Sequence, residues 1–249
     1  MSRKSIFKFR SEMKPLLVID PRKPERAKLD EAVAVLRDGG VIAYPTETFY
    51  GLGADASNEV AVEKIFAIKG RAFNNPLAVI VAGEDDLPSL VAEIPDEAKI
   101  LMQRLWPGPL TMVFWAAPSV SCRLTAGTGK IGIRISSHPL ASRLARALGA
   151  PLIATSANRS GEPENASASG VASSLGALPD LIIDGGETPG LLGSTILDVT
   201  VFPFRILREG AVPENLIHPI AELDIPRSVS GRHCQHIREP DADEDSKYD

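Results

Sequence analysis

Lys69 and Arg71 flank Gly70 in the stretch KGRAFNNPLAVIVA, two cations separated by one residue just ahead of an apolar run of strand length. The pair suits a multiply charged anion, because ammonium and guanidinium groups both neutralise phosphate oxygens. Three further segments carry compact polar groups at what read as strand ends: PTET (45–48), TSANRSG (155–161) and GSTILD (193–198). They contribute Thr46, Thr48, Ser156, Asn158 and Ser194. In IGIRI, Arg134 sits inside an apolar strand between Ile133 and Ile135, and a guanidinium there calls for a carboxylate or a phosphate. Polar groups at the ends of buried strands need one another, water or a ligand. Strand ends are also where open α/β sheets bind ligands.

Each group has a plain structural use as well. Thr46 and Thr48 could satisfy a turn, Lys69 could complement a helix C-terminus, and Arg71 could be a surface cation. Ser156 and Asn158 could form an Asx-type loop, Ser194 could be a turn hydroxyl, and strand alternation could turn Arg134 to solvent. As a set they make an anion site, with cations for phosphate, hydroxyls and an amide for ribose, base or phosphate, and a separate arginine for a carboxylate. No nucleophile–base pair stands out. His138 precedes Pro139 and reads as a helix-cap residue, and His218 lies near the end of the fold. His233, Cys234 and His236 offer three ligands in a tail, one short of a closed zinc site, so no protein-held metal is expected. Positioning and charge compensation, rather than covalent catalysis, fit these residues best.

Gly51, Gly53 and Ala56 in GLGADA match G-x-G-x-x-A, the dinucleotide fingerprint. The context speaks against that use. PTETFY intervenes between the strand and the first glycine, the next helix starts near Asn58, and KGRAFNN follows where a strand ending in an acid is required. No G-x-x-x-x-G-K-[ST] loop occurs either.

The elements that must hold these groups alternate between strand and helix. Strands are expected at 15–19, 41–45, 77–82, 110–116, 131–135 and 151–155, then within 181–186, 194–200 and 204–210. Helices are expected at 25–40, 59–68, 95–105, 138–148 and 166–175, several closed by glycine or opened by proline. Mixed elements with apolar strands predict a single α/β domain over 15–213, a twisted mixed sheet flanked by helices. Residues 1–14 read as a loose basic arm with five cations and one acid, short for an organelle presequence. Residues 214–249 read as an extension that loses periodicity after about 221 and ends acidic and disordered.

The 249 residues are 44% apolar, enough for one large domain. The net charge of −5 misleads, because residues 238–249 alone carry two cations and six acids, leaving −1 for the rest. A neutral body argues against bulk nucleic-acid binding by phosphate neutralisation while allowing a local cationic cleft. Two cysteines suggest no disulfide framework. No run approaches the roughly 18 apolar residues of a membrane span, so a cytoplasmic protein with no membrane partner is expected.

GGVIAYPTETFYGLGADA, IFAIKGRAFNNPLAVIV, LWPGPLTMVF, IGIRISSHPLA, APLIATSANRSGEP, IIDGG, STILDVT and ILREGAV together resemble the YrdC/Sua5 family of threonylcarbamoyladenylate synthases, in the family's order across residues 25–213. The combined K-x-R, S-x-N and S-T-[IV]-x-D pattern is specific, although each piece alone is weak. The resemblance implies a twisted α/β sheet with a cationic cavity, a fold related in appearance to double-stranded RNA-binding modules. It implies synthesis of threonylcarbamoyl-AMP and pyrophosphate from L-threonine, bicarbonate or CO2, and ATP, with Mg2+ or Mn2+ accompanying ATP. A downstream complex would transfer the group to tRNA position 37, with transient tRNA contact.

Carried over residue by residue, the resemblance makes Lys69 and Arg71 the catalytic K-x-R pair around carbamate and phosphates. Thr46, Arg134, Ser156 and Ser194 match L-threonine contacts, and Asn158 and Arg208 join Lys69 and Arg71 in ATP binding. Glu209 replaces the usual proline of I-L-R-P-G, and Ser136 replaces the proline after IRI. The resemblance is to the family's short form, without the additional C-terminal domain of the long form. Two rivals remain: a non-catalytic RNA-binding module using the same cleft, and carbamoyl transfer as in hydrogenase-maturation proteins, whose acylphosphatase and zinc-finger segments are not visible here.

Overall fold

The structure is a computed structural model describing residues 16–70 and 76–221. Arg71, the basic arm, the HCxH stretch and the acidic tail lie outside the described residues.

The chain begins with β1 (Leu16–Val18), α1 (Arg26–Arg37), β2 (Ile42–Pro45), β3 (Tyr50–Gly53), α2 (Glu59–Lys69) and β4 (Ala78–Ile80). After a 3-10 turn at Glu84–Ser89 come α3 (Asp96–Leu105), β5 (Leu110–Trp115), β6 (Lys130–Arg134) and α4 (Pro139–Leu148). β7 (Leu152–Ile153), β8 (Thr155–Ser156), α5 (Ala168–Leu175) and β9 (Leu181–Asp184) follow. β10 (Thr195–Asp198), β11 (Arg205–Arg208) and α6 (Glu214–Ala221) complete the described chain.

The strands form a five-stranded sheet in the order β1-β9-β2-β3-β8 and a six-stranded sheet in the order β11-β10-β5-β6-β4-β7. Both are mixed: β9 pairs in parallel with β1 and β2, whereas β2 and β3 are antiparallel. β7 edges β4 in one sheet and β8 edges β3 in the other. A single extended segment therefore passes from sheet to sheet at Ala154. The expected single-domain α/β fold is present, its mixed sheet resolved into two ladders that share this segment.

Alternation along the strands sorts side chains between two cores. Val41 and Ala43 enter the larger core, while Ile42 and Tyr44 enter the smaller. Leu140, Leu144 and Leu148 recur every fourth residue on α4 and meet Val33 and Leu36 of α1 in that smaller core. Each leucine so buried contributes about 1.5–3 kcal/mol. In the larger core, Ile65 and Phe66 of α2 join Leu101 of α3 and Val171 of α5. α6 adds Ile217 and Ile220 to that core. The extension expected from residue 214 thus opens with a helix whose apolar side is part of the fold.

β3 is the strand that composition hides, since glycine is depleted in strands. It pairs antiparallel with β2, Gly53 facing Ile42 and Gly51 facing Tyr44. A Cβ on Gly53 would come within 2.6 Å of Tyr44 Cε1, so the glycine makes room for the buried ring. Tyr44 Oη in turn donates to the Ile153 carbonyl at 3.1 Å, tying β2 to β7. Gly53 of GLGADA thus serves packing, and the PTET stretch ends β2 and opens the turn to β3.

Candidate functional site

Asn58 starts α2 by accepting hydrogen bonds from the Val60 and Ala61 amides, and Gly70 ends it in the left-handed region at φ 61°. Lys69 is therefore the last helical residue, yet it is only 4% exposed. Its Nζ donates to the Ser156 carbonyl at 2.7 Å, to Asn158 Oδ1 at 2.9 Å and to Ser156 Oγ at 3.3 Å. Ser156 Oγ also donates to Asn158 Oδ1 at 2.6 Å, and Asn158 Nδ2 donates to the Glu162 carbonyl at 2.5 Å. The local Ser–Asn loop exists as a structural alternative predicted, and Lys69 is built into it.

The PTET turn closes on itself. Thr46 Oγ1 donates to the Phe49 carbonyl at 2.7 Å and accepts from the Thr48 amide at 3.2 Å. Both threonines are buried. Glu47, between them, reaches back to β6: its Oε1 lies 3.4 Å from Arg134 Nη1, and its Oε2 accepts a hydrogen bond from Ser136 Oγ. Arg134 is buried, as its apolar flanks require, and its partner carboxylate comes from the turn.

β10 and β11 supply a third arm. Arg208 donates through Nη2 and Nε to the Ser194 carbonyl at 2.7 and 3.2 Å, and through Nη2 to Ser194 Oγ at 3.2 Å. Thr111 of β5 lies 3.0 Å from Ser194 Oγ, hydroxyl to hydroxyl. Burial lowers the Arg208 pKa, Glu164 opposes that shift, and Arg134 reinforces it. Arg134 and Arg208 face one shared space.

That space is a cavity of about 390 Å³, within the range of small-molecule sites. Thr46, Lys69, Arg134 and Ser156 line it, together with Asn158, Ser194 and Arg208. Every described candidate from the sequence therefore meets at one place; Arg71 lies outside the described residues. Thr111, Tyr50 and Glu164 also line it and were not singled out in the sequence. Burial pushes the Tyr50 phenol up to about 12, so it stays neutral while donating to the Gly186 carbonyl at 2.7 Å. Three cations and several hydroxyls around one opening can bind phosphates and a carboxylate together.

Among the described residues, no group of three or more His, Cys, Asp or Glu is placed to hold a metal ion, and no helix is long and apolar enough to cross a membrane.

A profile of the Sua5/YciO/YrdC proteins, described as "Telomere recombination", matches residues 34–210. The threonylcarbamoyl-AMP synthase of Pyrococcus abyssi is 40% identical over 217 residues, covering 87% of this chain and 64% of that protein. The threonylcarbamoyl-AMP synthase of Bacillus subtilis is 41% identical over 222 residues, covering 88% and 64%. The crystal structure of P. abyssi Sua5 complexed with L-threonine matches with a TM-score of 0.80 at 39% identity, covering 82% of this chain and 60% of that one. The chain thus spans 64% of the length of these two curated relatives.

Proposed function

The chain belongs to the Sua5/YciO/YrdC family, and from that membership we propose that it is an L-threonylcarbamoyladenylate synthase. The observation that carries this function is the convergence of Lys69, Arg134 and Arg208 with Thr46, Ser156, Asn158 and Ser194 on one cavity.

The threonine amine adds to CO2 derived from bicarbonate, forming the N–C bond of a carbamate and releasing a proton. A carbamate oxygen then attacks the α-phosphorus of ATP in line. The bond from that phosphorus to the bridging oxygen breaks, and pyrophosphate leaves with its electron pair. Lys69 and Arg71 offset charge on the carbamate and phosphates. Thr46, Arg134, Ser156 and Ser194 hold the amino acid, while Asn158 and Arg208 hold the nucleotide. These roles gain most from a dry, preorganised site, because charge compensation is stronger away from water. Mg2+ or Mn2+ would neutralise pyrophosphate charge as it develops. Glu164 is the cavity-lining carboxylate among the described residues, so the phosphates themselves would be its main ligands. The product is a reactive mixed anhydride, suited to a cytoplasmic transferase complex that acylates tRNA.

Pyrophosphate release tests the proposal. It should require L-threonine and bicarbonate together. Release that is independent of threonine would refute it.

A further inference from the structure

Arg134 is a buried guanidinium on the wall of the cavity. Among the described residues its side chain makes no hydrogen bond; its one ion pair is with Glu47, at 3.4 Å, beyond the usual hydrogen-bonding distance. Its N–H groups are therefore not consumed by that carboxylate. Glu47 stands behind it, off the cavity wall, and is itself held. Its Oε2 accepts from Ser136 Oγ, and Ser136 Oγ accepts from the His138 amide at 3.2 Å. Its Oε1, facing Arg134, is buried without a hydrogen bond.

We infer that Glu47 is a positioning residue, which holds the Arg134 guanidinium toward the cavity so that its N–H groups engage a ligand carboxylate, and that Ser136 sets the rotamer of Glu47. A buried arginine without a counter-charge would be costly in the empty site. A carboxylate bound to it through two short hydrogen bonds would instead compete with the ligand. The loose pair avoids both extremes. Ser136 supplies the hydroxyl donor that holds Glu47 Oε2.

The inference rests on the proposed function, in which Arg134 takes the carboxylate of threonine. Its test compares wild type, Glu47→Gln, Glu47→Asp and Ser136→Ala by calorimetric titration with L-threonine and separately with ATP, and by KM for each. Glu47→Gln should weaken threonine binding about 10-fold or more while ATP binding changes by less than about 2-fold. Ser136→Ala should weaken threonine binding by about 3-fold with the same selectivity. Glu47→Asp, which keeps the charge but retracts it, should fall between wild type and Glu47→Gln.

Unchanged threonine affinity in Glu47→Gln would overturn the inference, as would equal losses for threonine and ATP. If Glu47→Gln does not fold, Ser136→Ala decides alone, and unchanged threonine affinity there overturns it. Wild type that fails to bind threonine would overturn the proposed function and the inference with it. Wild type that binds threonine normally beside an unaffected variant overturns the inference alone.

Discussion

Lys69 Nζ and Asn158 Oδ1 lie 2.9 Å apart although 89 residues separate them in the chain. The contact joins the C-terminus of α2 to the loop after β8 and fixes the ammonium at the cavity wall. A cation at a helix C-terminus ordinarily complements the dipole from the surface. Here the side chain folds inward and is nearly inaccessible, and its hydrogen bonds to Ser156 and Asn158 offset the desolvation of the ammonium.

Lys69→Ala should lower product formation by about 100-fold or more, the scale of removing a charge-stabilising group. It also leaves the Ser156 carbonyl and Asn158 amide short of a donor, so about 1–3 kcal/mol of stability should go with it. Steady-state kinetics beside urea unfolding separates the two effects. Activity within threefold of wild type would remove Lys69 from the catalytic pair. Arg71→Ala, made beside it, should show the kinetic loss.

Arg208 grips the Ser194 carbonyl through two nitrogens, a geometry that a lysine ammonium cannot copy. Arg208→Lys should therefore fail to restore ATP affinity, leaving KM for ATP raised about tenfold, as in Arg208→Ala. Full rescue by lysine would mean that charge alone matters there.

Much of this site was legible because its members combine polarity with the ends of strands or helices, which few residues do without a reason; Arg208 was legible only through the family resemblance. Glu47 was not singled out, since a carboxylate in a turn looks solvated; the missed signal was the demand of buried Arg134 for a counter-charge. Thr111 was hidden because a β-branched hydroxyl residue inside LTMVFW reads as an ordinary strand former. Glu164 lies in a loop with no periodicity. Among the elements, β3 escaped because glycines at 51 and 53 lower its strand propensity, Gly53 being set by the neighbouring Tyr44 ring. The division into two ladders escaped because β7 and β8 are two residues each, too short to show a pattern.

Gly53→Ala tests the packing role directly. The added methyl would press on the Tyr44 ring, and overpacking of this kind costs about 1–3 kcal/mol. Thermal unfolding should show the loss, and Tyr44→Leu in the same chain should recover part of it. A Gly53→Ala protein as stable as wild type would contradict the close fit of ring and glycine.

His138 should give the protein an acid-sensitive component of stability. Burial lowers its pKa below the ordinary 6.5, against an opposing pull from Glu47, and its Nδ1 is buried without a partner. As pH falls through 6.5, the unfolded chain takes up a proton that the folded state resists. Stability therefore declines from that pH down to the depressed folded value, and this contribution then levels off. Urea unfolding at about pH 8 and about pH 5.5 should show a smaller drop for His138→Gln than for wild type. Equal drops would place the acid sensitivity elsewhere.

Mass spectrometry of a short, cold incubation with ATP, Mg2+, bicarbonate and L-threonine tests the central claim most directly. The account predicts the mass of threonylcarbamoyl-AMP, absent when threonine or bicarbonate is withheld and accompanied by an equal amount of pyrophosphate. Folded protein that yields no such adduct and consumes no ATP, yet binds RNA in a salt-sensitive way, would contradict it.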